Sequence, residues 1–433
     1  MHNKTIPHSW IHCSLGDAIK RVVGGGTPSR SVPAYWDGSI PWASVKDFSD
    51  DTKRLYDTEE HISSIGLANS AANLIEAGTP IVCTRMAVGR SALAVRPIAI
   101  NQDLKALYPQ DNLNDKYLLI LLEFLRPQLE SLSTGTTVKG INIDQLLKIP
   151  VSFPSVPEQR FIAEILDTLD ETIAHTTSII AKLKQIKAGL LHDLLTRGLD
   201  ENGELRDAIA HPEQFKDSPL GRISKDWDVK VLNSLASKII DGTHFTPTYV
   251  EDGIPFLRVT DIQTSQINFE RVKRITVREH IFLTKRCNPE FGDILYSKNG
   301  TIGITKVIDW HEEFSIFVSL CLIKPIKSLI NPWYLAEILQ APIVTEQIRI
   351  RSKQMTVINL HLEEIRDFLI PVPSLDEQKR IIKALSIHDN RIREEEAYLE
   401  KLKLQKKGLM HDLLTGKVRV NQVKNNLAIP VTA

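Results

Sequence analysis

Two short stretches bring together residue types used in hydrolytic or metal chemistry. Asp293 and Lys298 stand within GDILYSK, and His192 and His411 each open the pentapeptide HDLLT. Phosphodiester cleavage would need an acid-x-Lys arrangement with a second acid, and the sequence offers Asp293 no such partner. The stretch therefore reads as a strand running into a hairpin turn. The histidines read as helix-end residues, near the C-terminal dipole or at a partner surface. Cys13, Cys83, Cys287 and Cys321 are scattered without a CxxC or a His/Cys cluster. They support neither a disulfide framework nor a zinc site and are expected to be reduced packing residues. Gly24, Gly25 and Gly26 accompany no Walker A loop and no convincing dinucleotide fingerprint, so a flexible turn is expected there. No catalytic residue and no metal ligand is expected in this chain.

A fourth stretch, Asn331-Pro332-Trp333-Tyr334, resembles the NPPY-like tetrapeptide of adenine methyltransferases but departs at its third position. LNDKYLL occupies the same place in the first half of the chain. Asn331 is therefore expected to cap a helix with Pro332 in the first turn, and Tyr334 corresponds to Tyr117.

These stretches must be positioned by the rest of a 433-residue chain, long enough for more than one core. Its 42% apolar and 24% charged residues are those of a globular protein. The first residues lack a signal-peptide pattern and no run of about 18 apolar residues occurs, so a cytoplasmic protein without membrane contact is expected. Fifty-three basic residues balance fifty-three acidic ones. Binding to nucleic acid would then require charge segregated to one face, or a partner that shares the phosphates.

The chain is written twice. PSVPEQRFIAEILDTLD, beginning at Pro154, runs to KLKQIKAGLLHDLLT at Thr196 and returns as PSLDEQKRIIKALSIHD from Pro373 to KLKLQKKGLMHDLLT at Thr415. About 19 of 43 aligned positions are identical without a gap, which marks a duplication. Ahead of these segments the frames match while the contents differ: Trp10 with Trp227, GTPSRSVPAYWDGSIPW with GTHFTPTYVEDGIPF, and GINIDQL with VINLHLEEI.

Within the first segment Ile162, Leu166, Leu169, Ile173, Thr176, Ile180, Leu183, Lys187, Leu190 and Leu194 alternate four and three apart, a heptad seam. The second copy repeats it from Ile381 to Leu413 with His388, Glu395 and Lys406 as polar members. Glu158 and Glu377 fall in the first turns, where acids favour the helix dipole. Helices of about 39 residues, rising about 58 Å, are expected to pair antiparallel as a spacer. Each variable segment mixes strands, as in GIPFLRVTDI, with a helix, as in NPWYLAEILQAPIVTEQIRIR.

The expected fold is α+β: two similar mixed α/β domains and two long helices in an antiparallel coiled coil, related by a pseudo-two-fold. The divisions are a first recognition domain at 1–153, a helical spacer at 154–199, a linker at 200–225, a second domain at 226–372, a second spacer at 373–417 and a tail at 418–433. This plan would let a single chain mimic a symmetric DNA-binding dimer. The competing reading is a coiled-coil scaffold that never touches DNA.

The duplicated plan, the PxxPEQ-like helix starts and the GLLHDLLT-like ends resemble the specificity subunit of Type I restriction-modification systems over essentially the whole chain. The resemblance implies that each domain reads half of an interrupted, asymmetric double-stranded DNA target while the helices set the gap. It implies two modification subunits, which carry AdoMet-dependent adenine methylation, and restriction subunits, which carry ATP- and Mg-dependent translocation and cleavage. This chain itself would bind no cofactor. Lys182, Lys184, Lys187, His192 and their copies could then lie at subunit contacts. By residue type, the DNA-contact candidates are Arg30, Lys46, Arg85, Arg90 and Lys139 in the first half, and His244, Arg258, Lys298, Asn299, Lys353 and Gln354 in the second.

Overall fold

The computed structural model describes residues 7, 9–50, 52–134, 139–264, 267–352 and 359–420. The chain divides into two compact units, residues 1–177 with 397–433 and residues 178–396.

The first unit runs β1 (Ile11–Ser14), β2 (Ile19–Gly24), β3 (Trp36–Ala43), β4 (Arg54–Leu55), β5 (Glu60–Ile62), α1 (Ser64–Ala68) and β6 (Asn73–Ile75). It continues through β7 (Pro80–Cys83), β8 (Ser91–Ala94), β9 (Ile98–Ile100), β10 (Leu104–Pro109), α2 (Asp115–Leu132), α3 (Ile143–Leu147) and β11 (Pro150–Phe153) into α4 (Val156–Thr196). One sheet has the order β2-β10-β7-β8-β4, a second β5-β3-β9-β6, and β1 pairs with β11.

After α4 the stretch 200–225 carries a hairpin, β12 (Phe215–Ser218) with β13 (Gly221–Ser224). The second unit then follows as β14 (Asp228–Val231), α5 (Leu232–Leu235), β15 (Ala236–Asp241), β16 (Tyr249–Val250), β17 (Ile254–Leu257), β18 (Lys273–Ile275) and α6 (Val277–Thr284). It is completed by β19 (Ile294–Ser297), β20 (Thr305–Val307), β21 (Ser315–Ile316), β22 (Leu320–Pro325), α7 (Pro332–Gln340), α8 (Pro342–Ser352), α9 (Leu362–Arg366), β23 (Leu369–Val372) and α10 (Leu375–Leu414). Its sheets have the orders β15-β22-β19-β20 and β16-β18-β17-β21, and β14 pairs with β23.

The two units share a common strand order, β2-β10-β7-β8 matching β15-β22-β19-β20 and β5-β3-β9 matching β18-β17-β21, and differ at the edges, where β4 and β6 of the first and β16 of the second have no counterpart at the same edge among the described residues. Besides the parallel β4–β8 pair of the first unit, both units have one matched parallel pairing: Trp42 opposite Ala99 in the first, Phe256 opposite Ser315 in the second. That pairing draws two backbones together at a glycine. A Cβ on Gly25 would stand 1.8 Å from the Ile100 carbonyl oxygen, and one on Gly242 would stand 2.1 Å from that of Ile316. Gly26 is similarly tight against Ala71. The expected flexible turn at Gly24–Gly26 is instead closely packed backbone, chosen for the absence of a side chain rather than for mobility.

The helix predictions hold where capping chemistry decides them. Asn114 accepts from the Tyr117 N–H at 3.2 Å, and Asn331 accepts from Trp333 at 2.9 Å and Tyr334 at 3.3 Å. Tyr117 and Tyr334 are both fully buried. In the second unit Pro342 divides the helix into α7 and α8: the residue before it, Ala341, is extended (ψ 158°), the conformation a following proline favours.

None of the twenty seam positions of α4 and α10 is exposed. In the first unit, Ile162, Ala163 and Leu166 share a core with Met410, Leu413 and Leu414, while Asp170 meets Lys406. In the second, Leu191, Leu194 and Leu195 share a core with Ile381 and Leu385, while Lys187 meets Asp389 and Lys184 meets Glu396. Numbers rise along one helix as they fall along its neighbour, so both contacts are antiparallel.

The glutamine of each EQ motif ties its helix to the domain. Gln159 accepts the Asn114 N–H at 2.7 Å and donates to the carbonyls of Asn112 at 2.9 Å and Pro154 at 2.8 Å. Gln378 accepts the Asn331 N–H at 2.7 Å and donates to Leu329 at 3.3 Å and Pro373 at 2.9 Å. The preceding glutamate receives an arginine from the segment that ends the other long helix: Arg419 reaches Glu158 at 2.7 Å, and Arg206 reaches Glu377 at 2.5 and 3.1 Å. Gly198 (φ 70°) and Gly416 (φ 69°) make these returns possible, each at a left-handed helix exit.

Lys187 and Lys406 turn inward, so the expectation that they face a partner subunit gives way to a packing role. Lys187 lies 2.8 Å from Asp389 and 3.4 Å from Glu337 of α7; Lys406 lies 2.7 Å from Asp170 and 3.0 Å from Glu123 of α2. A seam position demands burial, and each lysine can occupy one because two carboxylates meet it there.

Candidate nucleic-acid interface

Each unit presents a loop between two strands, Thr84–Arg90 after β7 and Lys298–Ile304 after β19, and the same hydrogen bonds hold both. The Cys83 N–H donates to the Arg90 carbonyl at 2.8 Å, as Ser297 does to Ile304 at 2.9 Å. Gly89 returns to Cys83 at 2.9 Å, as Gly303 returns to Ser297 at 3.1 Å. The Thr84 N–H donates to Asp103 at 2.8 Å, as Lys298 donates to Ser319 at 3.0 Å. From the far side, Ile141 donates to Thr84 at 2.9 Å, as Leu360 donates to Lys298 at 3.1 Å. Isolated bridges complete the frame, Arg85 with Gly140 and Asn299 with Asn359.

This frame gathers several of the candidates. Arg85 is 54% exposed and touches Asp103 at 3.4 Å. Lys139 is exposed beside it, its carbonyl accepting the Met86 N–H at 2.8 Å. Arg90 closes the same loop and is spent internally, on Asp50 at 3.0 Å and the Phe48 carbonyl at 2.9 Å. In the second unit Lys298 is buried, 3.5 Å from Asp241. Asp241 also meets His244 at 3.1 Å and Arg286 at 2.6 Å. Burial works against the Asp241 anion, but Arg286, His244 and Lys298 outweigh it and hold the carboxyl below its usual range.

The remaining candidates lie elsewhere. Arg30 forks onto Glu60 and lies 3.7 Å from the Trp36 ring centroid, a cation–π contact. Its hydrogen bond is the main reason the Glu60 carboxyl is lowered, with exposed Lys46 adding to the field. Arg258 pairs with Asp261 at 3.2 Å, and Asp261 also accepts the Arg258 backbone N–H at 2.8 Å, at the turn that Ser44 and Asp47 cap in the first unit. Lys353 and Gln354 lie outside the described residues. Residue type alone did not single out Arg286 or Met86. The internal repeat offers a signal for Met86, which falls opposite Gly300 when TRMAVGR is laid over KNGTIGI.

Asp293 immediately precedes β19 of the β19–β20 hairpin and is bonded to Lys324 at 2.6 Å. The four cysteines are unpaired. Burial pushes the Cys83 thiol up to about 12 and Cys287 up to about 11, where neither supplies a thiolate. Among the described residues no group of three or more His, Cys, Asp or Glu side chains is placed to hold a metal ion. No helix among them is long and apolar enough to cross a membrane.

Two units with a common strand order, each carrying a loop of common backbone and private side chains and tied to paired long helices, define a duplicated recognition protein. Its relatives agree. The chain belongs to the Type I restriction modification DNA specificity domain family, whose model matches residues 7–185 and 224–404. It is 25% identical to the Type I restriction enzyme MjaVIII specificity subunit of Methanocaldococcus jannaschii, over 98% of this chain and 96% of that one. It is 33% identical to the EcoR124I/EcoR124II specificity subunit of Escherichia coli, over 42% of this chain and 47% of that one. A crystal structure of the Type-I restriction-modification system S subunit from M. genitalium shares the fold, with TM-score 0.57 and 17% identity over 96% of this chain and 98% of that one.

Proposed function

We propose that this chain is the DNA-specificity subunit of a Type I restriction-modification complex, working in the cytoplasm. Each unit reads one half of a split double-stranded target, and the paired helices α4 and α10 set the gap between halves. The chain is not the enzyme: adenine methylation with AdoMet belongs to two modification subunits, and ATP- and Mg-dependent translocation and cleavage belong to restriction subunits. Functionally, residues 1–153 and 226–372 are the reading domains, and 154–199 and 373–417 the spacers.

The single observation that carries the reading is the common loop frame with different contents, Thr84-Arg85-Met86 against Lys298-Asn299-Gly300. Identical readers would favour a palindrome, whereas unlike side chains on one scaffold favour an asymmetric target. Lys139 and His244 beside these loops, and the exposed Arg30 and Lys46 near Glu60, are proposed DNA contacts. Neutral net charge fits a complex in which modification subunits share the phosphates.

Co-expression with the neighbouring modification protein, followed by sequencing of methylated adenines, tests this. A split asymmetric motif that vanishes when this chain is omitted is expected. Motif methylation that persists without the chain would defeat the proposal.

A further inference from the structure

We propose that Arg85 and Met86 are the base-reading pair of the first unit: Arg85 donates its paired guanidinium N–H groups to a guanine, and Met86 packs its thioether on the neighbouring base. The inference rests on the DNA-reading function proposed above and adds the residues that set one half of the target.

The backbone of Met86 is the first observation. Its φ is 63°, and among the described residues Asp37 is the other non-glycine with a positive φ. The Ala87 N–H donates to the Arg85 carbonyl at 2.7 Å and closes a three-residue turn around Met86. That turn with positive φ is the rare, strained form. In the second unit the equivalent residue is Gly300, with φ 75°, where no Cβ opposes the same conformation. The scaffold therefore accepts glycine at this position, and the first unit carries the costlier residue.

What that residue does is the second observation. Met86 is 66% exposed, so its side chain does not repay the strain by filling the core. Meanwhile its N–H is held by Lys139 and its neighbour Arg85 is bridged to Gly140, which fixes the direction in which both side chains leave the turn. A polarizable, unbranched side chain fixed on an exposed tip suits an apolar contact such as a thymine methyl.

Arg85 supplies the third. Its contact with Asp103 is a long 3.4 Å pair from a guanidinium that is 54% exposed, so water screens it and a better acceptor can replace it. The N7 and O6 edge of guanine matches the arginine fork. Asp103, 12% exposed and bonded to Asn101 at 3.2 Å, is fixed in place and keeps the guanidinium at the loop.

The test uses the full chain with its modification partner and reads the methylated motif. Exchanging residues 1–153 for those of a relative identifies the half-site that belongs to the first unit. Arg85→Ala and Arg85→Lys should each lower methylation of the native site about tenfold and relax a guanine in that half, since lysine lacks the paired donors. Met86→Gly should leave the melting temperature unchanged or raise it, yet relax an adjacent position of the same half. The other half-site, unchanged throughout, reports that the chain is folded. An unchanged first half-site in the Arg85 and Met86 variants, or equal relaxation in both halves, overturns the inference. If the unaltered complex yields no split motif, the DNA-reading function itself fails and this pairing with it.

Discussion

The two units fasten the long helices in the same way but balance the charge differently. In the second, among the described residues Lys187 alone faces Glu337 and Asp389; in the first, Lys406 faces Glu123 and Asp170, and Lys53 adds a second cation 2.6 Å from Glu123. The consequence appears in the glutamates. Burial raises the Glu337 carboxyl and Lys187 offsets it incompletely, whereas at Glu123 burial is outweighed by Lys53 and Lys406 and the carboxyl is lowered. A common seam position thus fixes geometry, while its neighbours decide whether each charge is comfortable.

Removing one matched heptad, residues 173–179 with 392–398, tests what the units have in common most drastically. The preferred gap in the methylated motif should change while both half-sites stay as they were; an unchanged gap would show that the helices are not the ruler.

The glutamine latches should respond alike. Gln159→Ala and Gln378→Ala each remove three bonds to backbone, one buried and two partly buried, and should each cost about 3 kcal/mol in denaturant unfolding. Costs differing by more than about 2 kcal/mol would mean that the second copy only looks equivalent.

The lysines should separate the units. Lys187→Met strands two partly buried carboxylates with no cation and should cost about 2 kcal/mol, below the about 3–5 kcal/mol of a fully enclosed pair because water still reaches the site. Lys406→Met leaves Lys53 on Glu123 and should cost about 1 kcal/mol. The reverse order, measured by thermal unfolding, would reject the charge count.

The smallest effect sharpens the contrast. Glu123→Gln should destabilise by about 1 kcal/mol at neutral pH, while Glu337→Gln should be neutral or slightly stabilising. Because the folded Glu123 carboxyl lies below its ordinary 4.5, its contribution is present above that value and lost as pH falls through the lowered one. Glu337, raised, has the opposite sign, and its ionisation costs stability as pH rises from 4.5 through the raised value. Stability of Glu123→Gln should therefore converge on that of the unaltered chain in acid, and parallel curves from pH 3 to 7 would count against this account.

Much of the architecture was legible because it follows from local periodicity. The seam alternates four and three, so its twenty positions could be named before any contact was known, and Asn114 and Asn331 announce helix starts by chemistry confined to one turn. Contacts across long separations were not legible. Gln159 reads as an ordinary first-turn residue until Asn112 and Asn114 arrive beside it. Lys187 and Lys406 look like exposed helix charges until the carboxylates of α2 and α7 meet them. Arg90 and Lys298 have the residue type of a DNA contact, and only their placement against Asp50 and Asp241 shows where their donors are directed.

By itself the sequence determined that this protein is one plan written twice, with a long helix following each of two unlike domains, since duplication and helical period survive in the order of residues. Tertiary structure decided which side chains are free to recognise anything. That depends on which distant carboxylate or carbonyl has already claimed each donor, and on a backbone angle at Met86 that no residue type reveals; both arise only when strands far apart in the chain close on one frame.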